Sequence, residues 1–345
     1  MMKLFLIKLL KLLFTEDYTV PDKVNKILVI RQDNRIGNML FITPLIREIK
    51  RSFPQATLDL ITAGKFSEIF DNNPHIDNLI EVHHKDNIMK PWILFEIISR
   101  IRKSQYDLVF DTKDVLSFNN ALLAGLSYGK QIVGYNYEGS EHIHNVRIDI
   151  PPAEMYEPLR HLQLLYSLTD SKYDNDKMEL FLRQEEVDNV SLHLKKVGFE
   201  PDSFIAIHCG GRGRKSYGVE RFYNAAKTLV EKHNQKVLFI YGPDESEEAI
   251  KLKKSENIHT LLPKDVQFMT LLISQCRLFL SGDTGALHIA VALGKPTVSL
   301  FFGSYWARYA PKGDKHKVYY KLDEPPGEDS VVEMVVNQLS KTGKN

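Results

Sequence analysis

Cysteine, net charge and common nucleotide motifs are all scarce in this sequence, and each absence excludes a class of protein. Cys209 and Cys276 are the only cysteines among 345 residues, so the chain has neither a disulfide framework nor the spacing of a zinc site. Lysine and arginine number 45 against 44 aspartates and glutamates, which leaves no basic excess for a nucleic-acid partner. The Walker pattern G-x-x-x-x-G-K-[ST], the dinucleotide fingerprint G-x-G-x-x-G and a D-x-D pair in a nucleotide-binding turn are absent too. We therefore expect a cytoplasmic protein with no metal site and no cofactor.

A long uninterrupted apolar run is also missing. Residues 1–14, MMKLFLIKLLKLLF, are mostly apolar, but Lys3, Lys8 and Lys11 interrupt them, so the run is too short and too charged to span a bilayer. It also lacks the cleavage site of a signal peptide. On a helical wheel the three lysines share one side, which predicts an amphipathic helix in peripheral contact with the cytoplasmic face of the inner membrane. The alternative is a helix packed on the protein's own surface.

The chain alternates predicted strands and helices in two series. The first series has strands at 26–31, 56–62, 79–82 and 106–110 and helices at 38–51, 66–70 and 91–102. The second has strands at 204–208, 236–241, 277–281 and 296–301 and helices at 184–197, 219–233 and 285–293. This alternation predicts two Rossmann-like α/β domains, at 1–175 and 176–345, each with a doubly wound parallel sheet, facing each other across a cleft.

Two turns of the second series suit an anion. Gly282-Asp-Thr-Gly285 leads from a strand into a helix, so backbone N–H groups, the Thr284 hydroxyl and His288 are expected to point at one ligand. Asp283 is expected to cap that helix or to hold its first turn. A phosphate site is one interpretation; an ordinary helix start with a packed His288 is the other.

The loop 208–215, HCGGRGRK, carries three glycines and three cations after a strand. Gly210 and Gly211 allow the backbone to approach a diphosphate, and Lys215 supplies a point charge for a departing nucleotide. The alternative is a solvated basic loop.

Two turns of the first series carry candidate acids and bases. The turn 31–38, RQDNRIGN, has a glycine as nucleotide-binding turns do, and Asp111-Thr-Lys113 follows another strand. Asp111 is expected to be either an acid or base of the active site or a helix cap.

Three stretches resemble the signatures of glycosyltransferase family 9, the lipopolysaccharide heptosyltransferases. The family pattern R-x-D-R-I-G-D followed by T-P-L is similar to RQDNRIGNMLFITPL at 31–45. The pattern H-P-G with K-x-W-P-x-E-R-F is similar to HCG at 208–210 and KSYGVERF at 215–222. The pattern N-D-T-G-x-x-H-x-A-x-A-x-G-x-P is similar to GDTGALHIAVALGKP at 282–296. The resemblance runs from about residue 26 to beyond residue 302.

The resemblance implies a GT-B fold and inverting, metal-independent sugar transfer. The N-terminal domain would bind the acceptor, with Arg35 and Lys113 near it, and the C-terminal domain would bind the nucleotide sugar. Residues implied at the nucleotide-sugar site are Gly210, Gly211, Lys215, Asp244, Asp283, Thr284, Gly285 and His288, with Asp244 facing the nucleoside.

The chain departs from the family pattern at two places. Tyr217-Gly218 replaces Trp-Pro, and Asn38 replaces the aspartate that the family uses as its catalytic base. Because an amide cannot accept a proton at neutral pH, the resemblance leaves Asp111 as the first candidate for the base and Asp33 as the second.

The function expected from these residues is transfer of a sugar, with ADP-heptose as the first donor to test, onto the core of lipopolysaccharide or lipooligosaccharide. A binding protein without catalysis, motivated by Asn38, and a nucleotide-sugar 2-epimerase are the alternatives.

We expect deletion of residues 1–14 to leave transfer to a short soluble acceptor intact and to weaken association with anionic liposomes, because the lysines attract anionic lipid. Liposome flotation of the full and shortened chains measures the association. Loss of folding on deletion would instead assign this run to the protein core.

Overall fold

Two parallel β-sheets, one in each half of the chain, form the frame of the protein. A computed structural model describes residues 23–83, 91–169, 175–252 and 255–342. The chain divides into a first unit that ends at Met178 and a second that begins at Glu179. The predicted amphipathic helix at 1–14 lies outside the described residues. In the part of the chain that is described, no helix is both long and apolar enough to cross a membrane.

The first sheet has the strand order β3-β2-β1-β4-β5-β6, and all neighbouring strands are parallel. Its strands are β1 Lys26–Arg31, β2 Thr57–Ala63, β3 Asn78–Val82, β4 Leu108–Asp111, β5 Gln131–Tyr135 and β6 Val146–Ile148. Five consecutive residues of β1 are buried, as expected for a parallel strand covered on both faces.

The helices of the first unit are α1 Ile36–Leu40, α2 Thr43–Ser52, α3 Pro91–Ser104, α4 Phe118–Leu126 and α5 Glu157–Tyr166, with 3₁₀ turns at Gly64–Phe70 and Ser140–His142. The single helix predicted at 38–51 is therefore wrong, since two helices cover this stretch. Pro44 has no N–H to donate to the carbonyl of Leu40, and the Thr43 hydroxyl donates to that carbonyl at 2.8 Å instead. The backbone hydrogen bond of the first helix is thereby replaced by a side-chain hydrogen bond, so α1 ends and α2 begins.

The second sheet repeats the same topology with the strand order β12-β11-β10-β7-β8-β9, again with parallel neighbours. Its strands are β7 Phe204–His208, β8 Lys236–Ile240, β9 Ile258–Leu261, β10 Leu278–Gly282, β11 Thr297–Phe301 and β12 His316–Tyr320. Its helices are α6 Gln184–Lys196, α7 Val219–His233, α8 Ser246–Ala249, α9 Val266–Ser274, α10 Gly285–Ala292, α11 Trp306–Tyr309 and α12 Glu328–Thr342, with 3₁₀ turns at Gly213–Lys215 and Pro243–Glu245. The predicted class, two doubly wound α/β sheets, is confirmed.

Each sheet reverses its strand order at one central pair of strands. In the first unit this pair is β1 and β4, with Ile30 opposite Asp111, and in the second it is β7 and β10, with His208 opposite Ser281. Connections from the two strands of such a pair run to opposite sides, which opens a crevice at their carboxyl ends. Side chains that follow these four strands are therefore placed where a doubly wound sheet binds ligands.

Candidate functional site

In the second unit, a lysine and a histidine flank one buried carboxylate at the carboxyl end of β10. Asp283 follows β10, and its side chain is 7% exposed. Nζ of Lys215, from the loop after β7, contacts Asp283 Oδ2, and Nε2 of His288, on α10, lies 3.7 Å from Asp283 Oδ1. Burial raises the pKa of Asp283, but His288 and Lys215 lower it by a larger amount. The resulting pKa is far below the usual range. The ionised carboxylate thus holds both basic side chains at one place.

Thr284, rather than Asp283, caps helix α10. Its Oγ1 accepts the backbone N–H of Leu287 at 3.4 Å and lies 2.9 Å from Oγ of Ser281. The capping alternative for Asp283 is therefore wrong, whereas the alternative that Asp283 holds the first turn of α10 agrees with its contact to His288. Gly285 begins α10, so the first N–H groups of this helix lie next to the Lys215 contact. A helix end beside two basic side chains is a favourable site for an anion.

Close backbone packing holds the 209–215 loop against its neighbours. A Cβ on Gly303, which follows β11, would lie 2.4 Å from the carbonyl oxygen of Arg214. A Cβ on Gly210 would lie 2.4 Å from Cε1 of His208. A side chain at Gly303 would displace the backbone of the loop, so this glycine allows Lys215 to reach the end of β10. A side chain at Gly210 would instead meet the ring of His208.

The loop after β8 contributes one carboxylate that the sequence analysis missed. Oε1 of Glu245 accepts the N–H of Gly211 at 3.4 Å, and its Oε2 accepts the N–H of Gly242 at 3.0 Å. Asp244, the predicted nucleoside residue, is 62% exposed and pairs with the exposed Arg212 at 2.9 Å. Glu245 therefore ties two loops together, while Asp244 is accessible to a ligand. Only its adjacency to Asp244 signals Glu245 in the sequence.

His208, the last residue of β7, is a neutral part of the same region. Burial lowers its pKa to about 4, so the ring carries no charge at neutral pH. His208 therefore adds no basic charge at this end of the sheet.

In the first unit, four groups converge on Asp33 at the carboxyl end of β1. Its Oδ2 lies 2.5 Å from Nζ of Lys113, 3.0 Å from Nδ2 of Asn38 and 3.5 Å from Nη2 of Arg31. Its Oδ1 accepts the backbone N–H of Arg35 at 3.1 Å, while the Arg35 side chain is exposed. Burial raises the pKa of Asp33, but Lys113 and Arg31 lower it more, and the net pKa lies below the usual value.

Asp111, at the end of β4, is fully buried and bonded on both oxygens. Oδ1 accepts Nδ2 of Asn120 at 3.0 Å and the N–H of Lys113 at 3.2 Å, and Oδ2 lies 3.2 Å from Nε2 of His144. The capping alternative for Asp111 is wrong for the next helix, since Ser117 is the N-cap residue of α4. Asp111 instead fixes the turn that carries Lys113. No local pattern in the sequence signals the contacts to Asn120 and His144.

Several buried polar atoms at this edge of the first sheet have no partner among the described residues. They are Nε of Arg31, both amide atoms of Gln32, Oδ1 of Asn120 and Oη of Tyr137. Burial, and secondarily the charge of Asp111, raise the pKa of Tyr137, so its hydroxyl is protonated and able to donate.

The predicted site residues therefore form one group in each unit. Asp33, Asn38 and Lys113 touch at the carboxyl end of the first sheet, with Asp111 behind them. Lys215, Asp283 and His288 form the group of the second sheet, next to Thr284 and Gly285. Among the described residues, no set of three or more His, Cys, Asp or Glu side chains is arranged to hold a metal ion.

The sequence is similar to known glycosyltransferases, in agreement with the two groups of site residues described above. The family model of glycosyltransferase family 9 (heptosyltransferase) matches residues 94–337. The chain is 23% identical over 285 residues to lipopolysaccharide heptosyltransferase 3 of Escherichia coli, which covers 77% of this chain and 80% of that protein.

Solved structures are similar over both units. A family 9 glycosyl transferase from Veillonella parvula has a TM-score of 0.83 at 18% identity, covering 92% of this chain and 98% of that one. The E. coli heptosyltransferase WaaC with ADP-2-deoxy-2-fluoro heptose has a TM-score of 0.70 at 15% identity, covering 90% of this chain and 99% of that one. These likenesses confirm the predicted fold of GT-B type.

We expect the Asp283 contacts to make stability depend on acid pH. The pKa of Asp283 is lower in the folded chain than the ~3.9 of an unfolded aspartate, so its contribution is complete above about pH 5 and is lost as pH falls through the folded pKa. Asp283→Asn should be less stable than wild type by on the order of 2 kcal/mol at about pH 7, and this difference should shrink below about pH 4. Urea denaturation over this pH range measures the free energy of unfolding.

Asp244→Asn is the matched control, because Asp244 is largely exposed. Its difference from wild type should stay near zero at every pH. A difference for Asp283→Asn that does not change with pH would contradict the role of this carboxylate.

Proposed function

The chain belongs to glycosyltransferase family 9 and is a glycosyltransferase, and from this premise we propose that it transfers a sugar from a nucleoside diphosphate to a glycolipid of the bacterial surface. ADP-heptose is the proposed donor, since the structurally similar WaaC is described with an ADP-heptose analogue. The proposed acceptor is the core of lipopolysaccharide or lipooligosaccharide, because the curated relatives are lipopolysaccharide heptosyltransferases. The reaction would take place at the cytoplasmic face of the inner membrane.

The contact of Lys215 and His288 with Asp283 carries this proposal. When the bond between the anomeric carbon and the diphosphate breaks, negative charge develops on the departing phosphate oxygen. Lys215 is already held beside the start of α10, so its charge and the helix N–H groups require little reorganisation to stabilise that oxygen. The roles of Gly210, Gly211 and Thr284 as donor-binding residues are part of the same proposal, as is Asp244 at the nucleoside.

The first unit is proposed to hold the acceptor. Partly exposed polar side chains of Asp33, Asn38 and Lys113 lie at the carboxyl edge of its sheet, where they can hydrogen-bond to the hydroxyl groups of a saccharide. Arg35, with an exposed side chain, and Lys113 would contribute positive charge near that acceptor. Attack on the face opposite the leaving diphosphate would invert the anomeric centre.

Asn38 favours one second candidate, a protein that binds nucleotide sugars without transferring them. Incubation with ADP-heptose and core glycolipid distinguishes the functions. Transfer releases ADP and lengthens the glycan, an epimerase produces an isomeric nucleotide sugar, and a binding protein shows a calorimetric signal with neither product. Absence of transfer with a panel of nucleotide sugars, together with binding, would replace our proposal with the second candidate.

We expect Lys215→Ala to lower kcat while the protein stays folded. Loss of a positioned positive charge beside the leaving group should cost roughly 2–4 kcal/mol of transition-state stabilisation. His288→Ala should act in the same direction but less strongly, since Lys215 and the helix end remain. Turnover at saturating donor, with thermal unfolding measured in parallel, tests both variants.

Lys195→Ala is the matched control, because Lys195 is also half-exposed and paired with a carboxylate, Glu200, at 3.3 Å. It should keep wild-type turnover. A wild-type kcat in Lys215→Ala would place Lys215 on an ordinary solvated loop.

We also expect transfer to persist in excess EDTA. Asp283, the carboxylate at the β10 turn, is already paired with Lys215 and so is not available to a divalent metal. The N–H groups of Lys215 and of the start of α10 are proposed to stabilise the leaving diphosphate instead. Release of ADP with and without EDTA measures this. Activity that EDTA abolishes and magnesium or manganese restores would show that the reaction needs a metal.

A further inference from the structure

We propose that Asp33 is the base of the transfer reaction and that its Oδ1 atom takes the proton of the acceptor hydroxyl. Asn38, Lys113 and Arg31 are then positioning residues that hold the other oxygen of the same carboxylate. This inference rests on the proposed glycosyl transfer and adds the residue that activates the acceptor.

The two oxygens of Asp33 have different surroundings. A carboxylate oxygen has about two lone pairs, and Oδ2 already faces Lys113, Asn38 and Arg31. Among the described residues, the contact found for Oδ1 is the backbone N–H of Arg35. Oδ1 therefore keeps a lone pair for a substrate hydroxyl, while Oδ2 serves as the anchor.

Access also favours Asp33 over Asp111. The Asp33 side chain is 10% exposed, whereas Asp111 has no exposed surface and both of its oxygens accept or face nitrogen atoms. A general base must come within hydrogen-bond distance of the proton that it removes. Asp111 instead acts through Lys113. It accepts the backbone N–H of Lys113, and the amino group of Lys113 contacts Asp33.

The charge of Asp33 is suited to this step. Lys113 and Arg31 are the charged side chains in contact with it, and they keep the carboxylate ionised at neutral pH. A carboxylate stabilised in this way is a weak base, so it accepts the proton late, when the acceptor oxygen is already bonding to the anomeric carbon. In the balanced step that C–O bond forms, the bond from carbon to diphosphate breaks, the nucleoside diphosphate leaves with the electron pair, and the proton moves to Oδ1.

Asn38 can exchange roles with Asp33 because the two side chains are hydrogen-bonded at 3.0 Å. The double variant Asp33→Asn with Asn38→Asp keeps one amide and one carboxylate at this place. Asn38→Asp alone puts two carboxylates together, which raises the pKa of the pair because like charges repel.

The test measures kcat against pH and the affinity for ADP in the wild-type chain and in three variants. We expect Asp33→Asn to lose about 100-fold or more in kcat with ADP affinity unchanged, since ADP is proposed to bind the second unit. The double variant should recover at least about tenfold of that loss. Asn38→Asp alone should stay folded and move the acidic limb of the kcat profile to higher pH.

Two further variants separate catalysis from structure. Asp149→Asn, in the same unit, is the matched control because Asp149 is exposed, and it should behave as wild type. Asp111→Asn should lower the melting temperature and reduce kcat without moving the acidic limb, as expected for a positioning residue.

Wild-type kcat in Asp33→Asn, or an unshifted acidic limb in Asn38→Asp, would overturn the assignment of the base and leave the proposed transfer standing. Absence of turnover by the wild-type chain with every nucleotide sugar, despite ADP binding, would overturn both the base and the transfer.

Discussion

The placement of the site side chains depends on the reversal of strand order at the centre of each sheet. In the first unit β1 and β4 are neighbours, and in the second β7 and β10 are neighbours, although two other strands separate each pair along the chain. The connections that follow the two strands run to opposite sides of the sheet and leave a crevice at the carboxyl ends of the strands. Side chains that are far apart in sequence meet in this crevice. Lys113 and Asp33 meet across 80 residues, and Lys215 and Asp283 across 68, for this reason. The remaining strands support the frame on which these contacts depend.

Both units use a mostly buried carboxylate paired with basic side chains, but with opposite consequences. Burying one such charge without a partner is costly, so the pairing is a condition for placing any carboxylate at these depths. In the second unit Asp283 binds Lys215 and holds its amino group beside the start of α10, where we propose that the departing diphosphate lies. In the first unit Lys113 and Arg31 bind one oxygen of Asp33, and the other oxygen is the one that we propose accepts the proton of a hydroxyl. Under the proposed function, the same physical interaction prepares an anion site in one unit and a proton acceptor in the other.

The sequence predicts the parts of the fold that are local and periodic. β1, β7 and α7 begin and end where the apolar pattern places them, since their boundaries depend on neighbouring residues alone. The sequence does not predict the break before α2. The apolar pattern on both sides of Pro44 is helical, and it hides the effect of a proline that has no N–H to donate. The surroundings of Asp111 were beyond prediction for a different reason. Its contact with His144, 33 residues away, depends on which strands become neighbours and in what register, and neither is encoded in a short motif.

Asn38 shows why the residues of a signature and the chemistry of a site need separate treatment. Because Asn38 stands where the family pattern has an aspartate, the sequence lacks the expected base. This absence suggests a protein that binds nucleotide sugars without transferring them. In the folded chain its amide donates to Oδ2 of Asp33, which a carboxylate at the same position would repel at neutral pH. An amide therefore adds to the hold on one oxygen of Asp33 and leaves the other oxygen with the capacity to accept. The substitution that removes the family's base thereby helps to orient the carboxylate that we propose as the base, five residues earlier in the same turn.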